Sequence, residues 1–474
     1  MTFLLSTPGR QRIVPKIHFV IKMSLHAKAF HTAFSLSLIA MSFKRCAALK
    51  SRDQVNIELA AALADPSGAF LNWTQQFNYS YIGAEFEHRL GIFLDSVNYC
   101  ISYNANDTEA YLGLGPFNAL TNAEFLESYH GYNIASASPN TTIIVNGRRS
   151  LQQSYYCTKS AYNQVSTIPE AIDWTQSSAG YAVTLPVQNQ GQCGNCWAWS
   201  AMEAVASLDA IVTKSNAQVL STQAITSCTS GTTGCSNCSS CGGNPQDGFQ
   251  YVLSNGGLPS ATTYPFVGWT GYNATPGALD TDTCSNSLEK SISVTISGYC
   301  TLPPDSADAL QSAVAYQPVS TGIAASSAYF QYYQGGILTS SSLCGTSLDH
   351  AILTVGYDMT APTPYWKLQN QWGSNWGMDG YVLISAASSV PAEGVCGMYR
   401  DLSIPIKSSS TYNPPQPPSP PPGASQSINN EGITSVPAPP SPGHAFRICP
   451  QRIMAGMLTT LAAMITIRVI TTNY

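Results

Sequence analysis

One glycine-rich stretch holds two cysteines three residues apart: Gln190-Gly191-Gln192-Cys193-Gly194-Asn195-Cys196-Trp197-Ala198-Trp199-Ser200. Gly191 and Gly194 permit a tight loop, and from Ala198 to Val212 the apolar residues Ala201, Val205, Leu208 and Val212 recur at helical spacing. Cys196 therefore falls at a helix N-terminus, where unsatisfied backbone N–H groups and the macrodipole favour an anion. A thiol there is expected to have a lowered pKa, and the thiolate is the nucleophilic form. A cysteine taken alone is more often half of a disulfide; a basic partner would single this one out.

Of seven histidines, His18, His26 and His31 lie near the N-terminus, His88 and His130 in a helix-rich stretch, and His444 in a proline-rich one. Only His350 shares a segment with Cys196. Its surroundings, Leu348-Asp349-His350-Ala351-Ile352-Leu353-Thr354-Val355-Gly356-Tyr357, read as a loop entering a buried strand, and Tyr365 to Asn370 reads as another. A hairpin centred near residue 360 sets Ile352 against Leu368 and His350 against Asn370. An amide oxygen beside an imidazole fixes its tautomer and orientation, so Cys196, His350 and Asn370 form a candidate nucleophilic triad. The N–H of Cys196 and the side-chain amide of Gln190 are candidate donors to a transition-state oxyanion. Trp372, two residues past Asn370, is placed to shield the His–Asn contact from water.

The elements that must position these groups lie in one part of the chain. Residues 1–50 read as a leader: the apolar run Ala29 to Met41, preceded by Lys16, Lys22 and Lys28, has signal-peptide length and is short for a membrane span. Residues 51–167 carry helix signals and several charges. Residues 168–407, which hold the candidate triad, are rich in glycine, cysteine, aromatics and strand-like runs. Residues 408–445 form a proline-rich linker containing Pro414-Pro415-Gln416-Pro417-Pro418-Ser419-Pro420-Pro421-Pro422, and residues 446–474 an apolar tail. A removable or disordered tail is favoured over one that contacts a membrane.

Hydrophobic residues make up 44% of the chain, enough for a substantial core, whereas charged residues make up 10%, well below the roughly 25% of ordinary soluble chains. The net charge of −5 leaves no basic excess for nucleic acid. Fourteen cysteines suit an oxidising compartment. Cys235-x-x-Cys238-x-x-Cys241 has metal-like spacing, but no histidine lies nearby and no metal is expected.

In three blocks the chain resembles the papain-like cysteine peptidases, the family that includes the cathepsins. Gln190-Gly191, Cys193-Gly194, Cys196-Trp197 and Ser200 match the first block, with Asn195 where Ser is usual and Trp199 where Phe is usual. Asp349-His350-Ala351 and Val355-Gly356-Tyr357 match the second. Asn370, Trp372-Gly373, Trp376-Gly377, Gly380 and Tyr381 match the third, with Gln371 in place of Ser. The likeness spans roughly residues 57 to 402. It implies an α+β, papain-like two-lobed fold: a helical lobe carrying Cys196, a β-barrel-like lobe carrying His350 and Asn370, and a cleft between them, preceded by a mostly helical prodomain.

The resemblance further implies disulfides Cys193–Cys241, Cys228–Cys284 and Cys344–Cys396. Cys235, Cys238 and Cys300 are then left over, with a small insertion closed by Cys235–Cys238 or by a bond to Cys300. Glu85, Arg89, Phe93 and Asn104 fall at the spacing of the family's inhibitory propeptide helix, while Ser96 and Cys100 depart from it. Gly113-x-Gly115-x-Phe117-x-Ala119 resembles the second propeptide motif without its Asn and Asp, a loss that bears on how acid loosens the propeptide. The mature enzyme is expected to begin near Ile168-Pro169. Gly242 and Gly243 resemble the glycines that hold an extended substrate, with Leu348, Asn244 or Pro245, and Trp372 around it. Asp401 falls at the base of the S2 pocket, where a carboxylate admits Arg as well as apolar side chains.

The activity so implied is that of a cysteine endopeptidase of class EC 3.4.22, made as a zymogen, working through a thioester acyl-enzyme and needing no cofactor. Its implied partners are protein or peptide substrates, its own propeptide and cystatin-like inhibitors. Its implied location is the secretory pathway, in a lysosome, a vacuole or outside the cell. Three rivals stand beside this reading: a peptidase-like protein that binds without cutting, a disulfide-rich extracellular binding or structural protein, and an acyl transferase using the same triad.

Overall fold

Side-chain caps set the ends of the N-terminal helices. Helix α1 (Arg52–Ala64) starts at Ser51, whose hydroxyl accepts from the N–H of Gln54. Helix α2 (Pro66–Phe77) places Pro66 where a missing N–H is harmless, behind Asp65, which accepts from the N–H of Gly68. Helix α3 (Ala84–Asn104) buries Phe93, Val97 and Cys100, and α4 (Asn122–Tyr129) opens with a reciprocal capping box between Thr121 and Glu124. At the end of α3 the Asn104 amide accepts from Leu112 N–H at 2.9 Å and donates to Leu112 C=O at 2.8 Å. That clamp fixes β1 (Tyr111–Leu112). A short helix, α5 (Lys159–Tyr162), follows. The computed structural model describes residues 49–106, 109–132, 143–145, 148–150, 156–176, 180–229, 242–267 and 284–407. The expected leader up to residue 48, the proline-rich linker, the apolar tail and the Cys235–Cys241 stretch lie outside them.

The helical part of the next region is built on α6 (Cys196–Thr213), with α7 (Thr222–Cys228) and α8 (Pro245–Asn255) against it. Helix α6 begins two residues earlier than its periodicity suggests, so Cys196 is its first residue. Residues Cys196 to Leu208 are all buried, so the single apolar face expected from sequence is too narrow. Besides a small pair formed by Leu258–Pro259 and Ile292–Val294, the strands of this region are β2 (Ala171–Asp173), β3 (Gly298–Thr301), β4 (Val319–Ile323), β5 (Tyr333–Gly335), β6 (Ile337–Leu338), β7 (His350–Asp358), β8 (Tyr365–Gln369), β9 (Tyr381–Ser385) and β10 (Leu402–Ile406). An eight-stranded sheet runs β6-β9-β8-β7-β4-β10-β3, with β2 also paired to β7, and β1 pairs antiparallel with β5. The mixed helix-and-sheet architecture is the α+β fold expected.

The β7–β8 hairpin corrects the pairing expected from spacing. Leu353 faces Gln369 and Thr354 faces Leu368; a bulge at Val355 then sets Gly356 against Lys367 and Asp358 against Tyr365. Ile352 therefore does not oppose Leu368, and His350 does not oppose Asn370 in the ladder. The hairpin is centred one to two residues later than expected, and β7 is buried without interruption from His350 to Tyr357. A run apolar on both faces has no alternation from which register can be read.

Two expected disulfides are present, Cys228–Cys284 and Cys344–Cys396. Cys193 is also disulfide-bonded, while its expected partner Cys241 lies outside the described residues. Cys300 does not close a local insertion: it is bonded to Cys157, 143 residues upstream. The backbone explains the pairing, because Cys157 N–H donates to Thr301 C=O at 2.7 Å and Tyr156 bridges to Thr301, laying this segment along β3.

One hydrophobic cluster runs from Phe70, Trp73 and Phe93 through Phe117, Phe125 and Tyr129 into Trp366, Trp372 and Trp376 of the sheet lobe. A second surrounds Trp197, Trp199 and Phe249 in the helical lobe and also takes in Tyr132. The N-terminal helices are thus continuous with the sheet lobe, and residue 132 reaches into the other.

Candidate active site

The N-cap of α6, Asn195, makes no capping bond, and its amide donates instead to the Thr226 hydroxyl at 3.1 Å. The first-turn N–H groups of α6 are therefore not taken up by a cap. Cys196, the first residue, is fully buried. Burial pushes its thiol up to about 12, against the opposing pull of the Ala351, Gly131 and Trp197 N–H groups. The lowered thiol pKa expected at a helix N-terminus is not found in this closed state, because desolvation outweighs the backbone donors.

His350 is the first residue of β7. Its Nε2 lies 2.9 Å from Asn370 Oδ1, while its Nδ1 is buried without a partner. The Trp372 ring stacks on the imidazole with centroids 4.6 Å apart and planes at 29°. It thus covers the His350–Asn370 contact as the sequence suggested. The same Asn370 oxygen accepts from Gln371 N–H at 2.9 Å, and Asn370 N–H donates to Gly380 C=O at 2.9 Å. Burial, helped by His130, holds His350 down to about 3, so thiol and imidazole are both neutral here.

Gln190 is bound to the same loop, its N–H donating to Gln371 C=O at 2.8 Å. Its side-chain amide donates to Cys193 C=O at 2.7 Å and to Tyr129 C=O at 3.1 Å. A carbonyl of the N-terminal region therefore sits on the donor expected to hold an oxyanion.

From Tyr129 the chain crosses the candidate triad. Gly131 lies so close to the nucleophile loop that an added Cβ would fall 1.7 Å from the Gly194 carbonyl oxygen, so only glycine fits. Its carbonyl accepts from Gly243 N–H at 2.9 Å, and Tyr132 forms a parallel bridge with Gly243. Gly242 stands beside them, half-buried. The Tyr132 hydroxyl donates to Asp401, which also accepts from the Gln246 amide at 2.7 Å. A Cβ added at Gly322 would fall 3.1 Å from both a Leu348 methyl and the Tyr132 hydroxyl. Of the residues expected to bind substrate, Gly243 and Asp401 meet Tyr132 directly, Leu348 packs against the same hydrophobic cluster as Tyr132, and the Trp372 ring lies 6.3 Å from that of Tyr129. Burial raises the Asp401 carboxyl, against its bonds to Tyr132 and Gln246.

Sequence reasoning passed over Tyr132, His130, Glu203 and Cys157. His130 is buried against the site, 5.6 Å from the His350 ring and 5.9 Å from Trp372. Glu203 was legible as an acid set among apolar and small residues of α6. Cys157 carries no local signal, because its partner lies in another segment.

Residues 168–406 match the family described as papain family cysteine protease, and residues 70–125 match the cathepsin propeptide inhibitor domain (I29). Probable cysteine protease RD21C of Arabidopsis thaliana is 35% identical over 346 residues, which cover 73% of this chain and 68% of that protein. Oryzain beta chain of Oryza sativa subsp. japonica is 34% identical over 339 residues; the match covers 71% of this chain and 64% of that relative's length, so this chain spans less than two thirds of it. The crystal structure of the Amb a 11 cysteine protease, a ragweed pollen allergen in its proform, superposes with a TM-score of 0.60 at 28% identity, over 74% of this chain and 97% of that one.

Proposed function

The chain belongs to the papain family of cysteine proteases and carries the family's propeptide inhibitor domain, and from that premise we propose that it is a self-inhibited endopeptidase working through Cys196, His350 and Asn370. One observation carries the reading. The His350–Asn370 bond lies under Trp372, while the segment Tyr129 to Tyr132 covers Gln190, Gly243 and Asp401. Once that segment leaves, Cys196 Sγ attacks the scissile carbonyl and its proton passes to His350. The tetrahedral oxyanion is held by Cys196 N–H and the Gln190 amide that Tyr129 now occupies. His350 returns the proton to the leaving amine, giving a thioester. Water then attacks with His350 as base, releasing acid and thiol. Asn370 holds the imidazole in orientation throughout. The described disulfides support a secretory-pathway destination.

Tyr132 stands in for a substrate side chain at S2, and its hydroxyl on Asp401 supports a pocket that takes Tyr or Arg at P2 as well as Leu. A panel of peptides varied only at P2 tests this. Asp401→Ala is expected to lower kcat/KM for P2 Arg and P2 Tyr by roughly 10- to 100-fold, the range of a lost hydrogen bond to a charged group. P2 Leu should stay within about twofold. Equal losses on all three peptides would remove Asp401 from the pocket, and no cleavage of any peptide by the processed wild type would remove the endopeptidase reading.

A further inference from the structure

The residue that fills Ser's usual place, Gln371, has a partner on the nucleophile's own helix. Glu203 is the seventh residue after Cys196, two turns along the same face of α6, and is fully buried. Its two carboxyl oxygens take the Gln371 amide at 2.8 Å and the Gln369 amide at 3.3 Å. Those glutamines flank Asn370, and Gln371 N–H bonds the Asn370 oxygen that holds His350. We propose that Glu203 is a positioning residue for the triad, gripping the glutamines on either side of Asn370 from the helix that carries Cys196. The proposal rests on the triad read above.

Neither partner of the carboxyl is a cation, and burial raises it to about 8, against the pull of Gln371 and Gln369. Glu203 is therefore neutral at acid and neutral pH and has one O–H to give. Gln371 Oε1 is buried without a donor; turning that carboxamide end for end presents its oxygen to this O–H. The other titratable groups facing the cluster are the Tyr381 hydroxyl, which donates to Gln369 Oε1 at 3.4 Å, Lys367, whose amine lies over the Tyr381 ring and pairs with Asp173 at 2.9 Å, and Asp379, whose charge also bears on Tyr381. Ionisation above about pH 8 puts an unpaired charge into this cluster and loosens it.

Steady-state kinetics on the processed enzyme tests the proposal. Glu203→Ala is expected to lower kcat roughly tenfold with KM unchanged, the size of effect of a lost positioning contact. Glu203→Gln, which keeps shape and neutrality, should restore most of that loss and move the alkaline fall of kcat to higher pH. Gln371→Ser combined with Glu203→Ala should be no worse than the poorer single variant, because both break one link. A Glu203→Ala enzyme with wild-type kcat, or a Glu203→Gln enzyme with an unmoved alkaline limb and no recovery, contradicts the proposal. A wild type with no turnover contradicts the proposed function instead.

A second inference stands on a different observation. Cys157 lies between the inhibitor domain, which ends at residue 125, and the catalytic domain, which starts at 168. It is disulfide-bonded to Cys300 of β3, its segment is hydrogen-bonded along that strand, and both sulfurs belong to buried residues. We infer that the catalytic lobe keeps Cys157 after activation, so that a cut near Ile168 yields two chains joined by this disulfide instead of a free propeptide. Peptide mapping of active enzyme, selected by an epoxide label on Cys196, tests it without reductant. The Cys157 and Cys300 peptides should run as one species and separate only after a dithiol reduces the bond. In a Cys157→Ser/Cys300→Ser double variant the labelled enzyme should lack the peptide that spans residue 157. Labelled wild type that lacks that peptide before reduction, or a double variant that keeps it, overturns the inference.

Discussion

Self-processing of the wild-type precursor is expected to accelerate as pH falls through about 6.5, and this acceleration should be lost in His130→Phe. His130 sits between Phe125, Trp372, His350 and the Asp349 carboxylate, whose Oδ1 is 3.8 Å from its Nε2 and also accepts from Ala325 N–H. Both its ring nitrogens are buried without a hydrogen bond. Burial lowers its pKa below the ordinary value of 6.5, with Asp349 pulling the other way. Below pH 6.5 the released segment therefore binds a proton that the docked segment refuses. Docking strength is fully present above that pH and weakens as pH drops below it, by at most about tenfold per unit.

The pair Arg89–Glu124, which joins α3 to α4, does not supply this response. Two hydrogen bonds from Arg89 hold Glu124 down to about 2. Its contribution is present above the unfolded carboxyl value and is lost only as pH falls towards 2, so the pair is intact at pH 5. Comparing wild type with His130→Phe at each pH cancels the protease's own pH dependence. A constant ratio between pH 7 and 5 would assign the acid response elsewhere.

Cys196→Ala is expected to abolish hydrolysis, by roughly 10⁵-fold or more, as loss of the nucleophile does in a covalent mechanism. The alanine precursor should remain folded, since one buried sulfur is lost from a site packed by Trp197, Ala351 and Gly131, at a cost of about 1 kcal/mol. It should stay uncut when made alone and be cut when processed wild type is added. Residual turnover within tenfold of wild type would remove Cys196 from its proposed role.

The three sequence blocks around Cys196, His350 and Asn370 were enough to single out the candidate triad, because each is surrounded by residues needed for a tight loop, a strand entry or a stacked aromatic. The register of β7 against β8 was not legible: a strand buried on both faces has no alternation, and the bulge at Val355 has no sequence signature. The His350–Asn370 contact survives the corrected register because an offset of two residues keeps side chains on the same face. The Cys157–Cys300 bond was invisible for another reason. Pairing between segments 143 residues apart follows from the path of the chain along β3, which spacing does not encode. The thiol pKa was misjudged because a helix N-terminus is a local feature, whereas its burial comes from the Gly131 segment of a different region.

The central claim, that a buried and neutral Cys196 becomes a nucleophile when its own N-terminal region leaves, is tested by intact-mass analysis of the purified precursor with an epoxide thiol label, before and after acidification. Before acidification no label should attach, since Cys196 is fully covered and its thiol is pushed up to about 12. Afterwards, once the Cys157–Cys300 bond is reduced, the catalytic chain should appear separately and carry one label, mapped to Cys196. An unprocessed chain, or a label spread over several cysteines, would contradict the account.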